Sequence, residues 1–139
     1  FVSKDDLCIS IHLNSHNIPE MSGTSAYFSD SPYLAEIFSR NVANSLHTLN
    51  LGAKHDSTTY VGSLGWLRQV KAQSVLLETC FLSNYGDRMK IILPSGQINT
   101  AIGIKKAIDE HSGNTGILIQ LKNIVARLIE LVNKKYAKL

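Results

Sequence analysis

The chain has 139 residues, 44% of them hydrophobic and 18% charged, with a formal net charge of +3. That length suits one domain with enough chain to bury a core, and that balance excludes an intrinsically disordered segment. The mild positive charge is compatible with anionic surfaces such as wall polymers or nucleic acid and selects neither.

No apolar run is long enough to span a bilayer, and no signal-peptide pattern opens the chain. The sequence starts at Phe1 without a Met and enters a strand almost at once, which reads as part of something longer. Residues 6 to 12 read as a buried strand: Leu7, Ile9 and Ile11 alternate with Cys8 and Ser10. "SHNIPEMSGTS" has loop composition, and residues 24 to 28, "TSAYF", form a short strand.

A long helix follows in "SDSPYLAEIFSRNVANSLHTLNLG". Ser31 or Asp30 can cap it, Pro32 suits its first turn, and Gly52 stops it. Leu34, Ile37, Phe38, Val42, Ser45, Leu46 and Leu49 give the alternating three-and-four spacing of one buried face. Residues 53 to 73 are polar and irregular, with a short element around Leu64 to Val70.

"SVLLETCFLSN" is the second strongly apolar run, "YGDRMKIIL" a short helix and "QINTAIGIKKAIDEHSG" a longer one. In the longer helix Ile98, Ala101, Ile102, Lys105 and Ile108 fall on one side, and Gly113 ends it. Continuous apolar strands alternating with helices predict an α/β domain with a mostly parallel central sheet flanked by helices. In such sheets functional groups gather at the carboxyl ends of the strands.

His12 and Glu78 occupy those ends. For His12 two readings stand: a strand-end imidazole bonded to a backbone carbonyl, or a zinc ligand. The His12–His16 spacing imitates the helical pair of many zinc proteases, but a strand before it and a loop after it rule out that geometry. Glu78 is the lone charge in "VLLETCFL". It either reaches water or an arginine such as Arg68 or Arg88, or it sits desolvated with a raised pKa, fit to move a proton near neutral pH. Cys8 and Cys80 read as buried free thiols packing as small hydrophobes.

"DDLCISIHLNSH", then "GTSAYFS", a long helix, and "LGWLRQVKAQSVLLE" leading into "SVLLETCFLSN", resembles the zinc-dependent N-acetylmuramoyl-L-alanine amidases of bacterial autolysins and phage lysins. The resemblance covers about residues 1 to 110. It implies a peptidoglycan hydrolase that cuts the amide between the lactyl group of N-acetylmuramic acid and L-alanine with zinc-activated water. It also implies action at the cell wall, extracellularly or on release at lysis.

By position, His12 matches a zinc-ligating histidine and Glu78 the general acid/base. Asn14 matches an asparagine beside the ligand, and Asn84 a residue that shapes the strand-to-helix turn. The family takes its other zinc ligands, a histidine and a glutamate, from an earlier segment, so the sheet is expected to lack N-terminal strands and to leave apolar surface uncovered. His16, His47, His55 and His111 are weak candidates, His47 being on the solvent side of its helix. The alternative function is a non-catalytic, amidase-derived wall-binding or oligomerisation module.

After the linker at 113–116, residues 117–139 place Leu118, Leu121, Val125, Leu128 and Val132 on one stripe, opposite Lys122, Arg127, Glu130 and Lys134. This predicts an amphipathic helix for self-association or packing, with membrane binding a third option. No basic stripe interleaved with aromatics and no zinc-knuckle spacing supports nucleic-acid binding.

Overall fold

The structure, a computed structural model, describes residues 6–113; the segment expected to be helical over 117–139 lies outside them. The strands are β1 (Leu7–Asn14), β2 (Thr24–Phe28), β3 (Asn50–His55) and β4 (Gln73–Phe81). The helices are α1 (Pro32–Leu46), α2 (Gly65–Gln69), α3 (Tyr85–Ile92) and α4 (Pro94–Ser112). The strands form one sheet in the order β1-β4-β2-β3. β1 runs parallel to β4 and β2 parallel to β3, while β2 and β4 are antiparallel. The expected mostly parallel α/β sheet is therefore present, with its two parallel pairs joined through one antiparallel seam.

Side-chain alternation divides the sheet into two faces. Leu7, Ile9, Ala26, Phe28, Ala53, Val75 and Leu77 point to one side, where α1 supplies Leu34, Ile37, Phe38 and Val42 and α4 supplies Ala107 and Ile108. Each fully buried large side chain there contributes roughly 1.5–3 kcal/mol. The opposite face carries Ser10, His12, Ser25, Tyr27, Lys54, Leu76 and Glu78, by the same alternation and register.

β1 is an outer strand among the described residues, and it is only half-buried along Leu7 to Ser10. Ile11 and Leu13, toward its end, are 51% and 41% exposed. The fully buried strand expected over residues 6 to 12 is thus an edge strand among the described residues.

Three expectations need correction. α1 ends at Leu46 and does not run to Gly52, because His47 turns into the left-handed region (φ 55, ψ 46) and its N–H bonds Ala43 O. Leu49 therefore leaves the helix and is exposed. Asn50–His55, inside a stretch expected to be irregular from residue 53 on, is a strand.

The third concerns α4. Ile98 and Ile102 are exposed, and the buried positions are Gly96, Thr100, Gly103, Ala107 and Ile108. The reason is close approach: a Cβ on Gly103 would lie 2.6 Å from Val42 Cα. The helix packs backbone against backbone on α1, so small residues, not the isoleucines, define its inner face.

Candidate active site

His12 and Glu78 come together through register. The parallel β1–β4 pair sets His12 opposite Glu78 at the carboxyl ends of both strands. Immediately beyond, the register slips so that Asn14 faces Phe81. The slip gives β4 one more residue than β1 over that interval. Such irregularities recur beside active sites, where they end pairing and re-aim side chains.

Hydroxyls lock this corner. Thr79 Oγ1 donates to His12 O at 3.0 Å, and Thr24 Oγ1 donates to Thr79 O at 2.6 Å, tying β2, β4 and β1 in sequence. The His12 ring is held by its neighbour on the same face: Nε2 and Ser10 Oγ are 2.7 Å apart.

Neither arginine considered as a partner for Glu78 meets it. Arg68 pairs with Asp56, and Arg88 donates to Leu82 O at 2.8 Å. Oε2 of Glu78 is buried and has no hydrogen-bond partner. Burial holds the Glu78 carboxyl above the usual carboxylate range, and the His12 imidazole only partly opposes that shift. Tyr27, on the same face, is raised in turn by burial and then by the Glu78 charge.

Asn14 Oδ1 accepts from Ser15 N–H at 2.8 Å, and its carbonyl accepts from Leu82 N–H at 2.8 Å, which seals the strand end. Asn84 is the N-cap of α3: Oδ1 accepts from Asp87 N–H at 3.0 Å, while Nδ2 donates to Pro19 O at 2.8 Å. Buried Asp87 completes the turn, with Oδ2 accepting from Gly23 N–H (2.8 Å) and Phe81 N–H (3.0 Å). The loop between β1 and β2 is thereby fastened to the turn after β4.

The other histidines serve elsewhere. His55 accepts from Ser57 N–H and packs edge-on against Phe28. His16 accepts from Ile18 N–H at 3.0 Å, His47 is the exposed C-cap of α1, and His111 lies in the last turn of α4. The cysteines are free; Cys80 is buried as expected, and burial pushes its thiol up to about 11, whereas Cys8, on the edge strand, is only half-buried.

A catalytic zinc takes three protein donors and a water. No group of three or more His, Cys, Asp and Glu that could hold a metal occurs among the described residues. The imidazole of His12 suits zinc, and the unpartnered Glu78 oxygen suits the water beside it. These residues fit one part of such a site.

Sequence reasoning missed Ser25 and Tyr27, which register places beside Glu78 and two pairs further along on the same face. The only signal was the alternation in "TSAYF", which assigns both to the face opposite Ala26.

Comparisons with known proteins agree on one group. The sequence model of the family described as N-acetylmuramoyl-L-alanine amidase matches residues 2–110. Among solved structures, the chain is similar to the catalytic domain of the N-acetylmuramoyl-L-alanine amidase CwlV from Bacillus (Paenibacillus) polymyxa var. colistinus. Identity is 25% and the TM-score 0.67, covering 77% of this chain and 57% of that one. It is similar to N-acetylmuramoyl-L-alanine amidase AmiC2 of Nostoc punctiforme, at 27% identity and TM-score 0.66, covering 78% and 58%.

The amidase from Clostridium difficile 630, at 22% identity, shares the fold with TM-score 0.70, covering 80% and 60%. The chain thus spans less than two thirds of the length of these neighbours. No curated protein matches it. A family match over residues 2–110, on a sheet that brings His12 against Glu78, leads to one conclusion: the chain belongs to the N-acetylmuramoyl-L-alanine amidase family.

Proposed function

We propose that this chain carries the acid/base half of a peptidoglycan amidase that cleaves the bond between N-acetylmuramic acid and L-alanine. The observation that carries the reading is the His12–Glu78 register pair, with its half-buried carboxyl, one oxygen of which is buried without a partner. His12 would be one of the ligands that hold a Zn2+ ion, the other donors coming from outside the described residues. Bound there, zinc supplies a water acidified toward neutrality and a polarised scissile carbonyl.

Glu78 takes a proton and returns it to the departing amine of L-alanine. A carboxyl held above its ordinary range by burial is suited to both directions of that transfer. Asn14 and Asn84 hold the surrounding turns and touch no reacting atom. The place of action is the cell wall, outside the cytoplasm, whether the enzyme is secreted or released at lysis. Residues 117–139 are proposed as a self-association or packing segment.

A second reading has its own support. The chain matches the family over residues 2–110 but offers only His12 of the ligands the resemblance assigns, so a non-catalytic, amidase-derived wall-binding or oligomerisation module is the alternative. Zinc content of the purified, chelator-stripped and reloaded chain separates the two, measured beside His12→Ala. One zinc per chain that is lost on His12→Ala is the expected result for the amidase. Zinc bound equally by both proteins would remove His12 from the site, and no zinc in either would mean that the chain as given lacks the donors that complete the site.

A further inference from the structure

Ser25 stands directly across from Glu78 in the antiparallel β2–β4 pair. Opposed residues in such a pair carry their Cβ atoms about 4.5–5.5 Å apart on one face. Both side chains contribute a buried atom without a hydrogen-bond partner, Ser25 Oγ and Glu78 Oε2. Ser25 itself is fully buried. The other two such atoms among the described residues, Ser45 Oγ and Asp109 Oδ1, lie on separate helices, where no register pairs them.

Neighbouring hydroxyls are already committed. Ser10 holds the His12 ring, Thr79 bonds His12 O and Thr24 bonds Thr79 O. Among these serine and threonine hydroxyls Ser25 is the one left over, and it adjoins the Glu78 oxygen left over. An unpaired buried hydroxyl and an unpaired buried carboxylate oxygen each cost stability, whereas a hydrogen bond to a carboxylate is among the stronger ones. Rotation about one serine torsion re-aims Oγ, and its hydrogen turns freely.

We propose that Ser25 is a positioning residue for Glu78: its hydroxyl donates to the carboxylate, directly or through one shared water, and fixes the oxygen that faces the substrate. The inference rests on the assignment of Glu78 as the proton-transferring group. Being fully buried, Ser25 itself does not reach the substrate. Its loss frees the carboxylate to turn, which slows the proton transfer and leaves substrate binding alone.

Two measurements on the full chain test this. A crystal structure of the wild-type chain is expected to show Ser25 Oγ bonded to a Glu78 oxygen or to a water shared with it. Ser25 Oγ bonded to any other group, with no shared water, overturns the proposal. In turnover of purified peptidoglycan, Ser25→Ala is expected to lower kcat about tenfold, the loss of one such bond. KM should stay unchanged, and Ser25→Thr should restore part of the rate.

Wild-type kcat in Ser25→Ala also overturns the proposal, as does a change confined to KM. If the wild-type chain, zinc-loaded, cleaves nothing, the crystal structure alone decides the Ser25–Glu78 bond.

Discussion

Asp56 is fully buried, and its oxygens accept from Nε and Nη2 of Arg68, both at 2.7 Å, and from Leu64 N–H at 3.0 Å. Glu78, half-buried at the end of β4, has an oxygen with no partner at all. The surroundings drive the two acids in opposite directions. The Arg68 hydrogen bonds lower the Asp56 carboxyl to about 2, while burial raises that of Glu78. A carboxylate whose acceptor sites are all filled holds structure; one left underfilled in a dry place has capacity to give to a reaction.

The contrast is sharpest in turnover. Glu78→Gln keeps the shape of the side chain and removes its proton chemistry. It should reduce hydrolysis by a factor on the order of 10² to 10⁴ while zinc content is unchanged. Near-normal wall clearing by this variant would show that Glu78 is no more catalytic than Asp56.

Stability should reverse the order. Asp56→Ala strands the Arg68 guanidinium and the Leu64 N–H, and Tm is expected to fall by several degrees in a thermal melt. Glu78→Gln should leave Tm unchanged or higher at neutral pH, because it removes a desolvated charge. A Glu78→Gln protein less stable than Asp56→Ala would break the comparison.

The smallest effect is the pH dependence of stability in the metal-free chain, where the two groups have opposite signs. The Asp56 pKa is depressed on folding, so its contribution is present above the ordinary value near 3.8 and is lost as pH falls through about 2. The Glu78 pKa is raised, so its contribution is full below the ordinary value of 4.5 and is lost as pH rises through the folded value. Denaturant melts across that upper window should show a decline in the wild-type chain that is absent in Glu78→Gln.

What could be read in advance follows from side-chain size. β1 and β4 are legible because "LCISI" and "SVLLETCF" are unbroken apolar runs, and α1 because Leu34, Ile37, Phe38 and Val42 repeat at helical spacing. β3 was not legible, since "NLGAKH" is short and mixed and Gly52 adopts φ 74 within it. The inner face of α4 was misread for a related reason. Periodicity weighs large apolar residues, and this face is built on small ones: Gly103 against the α1 backbone, Gly96 against that of α3, and Ala107 in the core.

At the site, His12 and Glu78 stand out as polar residues at the ends of apolar strands. Ser25 gives no such signal, because an isolated serine in a short strand is ordinary. Its importance comes from an antiparallel seam that no local pattern announces. Which strands become neighbours is decided by packing across the whole chain.

That dependence reaches into the order of folding. The Thr79–His12 hydrogen bond closes a separation of 67 positions, one of the most distant contacts in the fold. Contacts of such range form slowly, since the loop entropy must be met before they reward the chain. Docking of β1 on β4 sets His12 against Glu78 and completes the burial that raises the pKa of its carboxyl. That raised pKa therefore depends on closure of the β1–β4 seam as well as on β2, which would make that carboxyl a late marker of the native state.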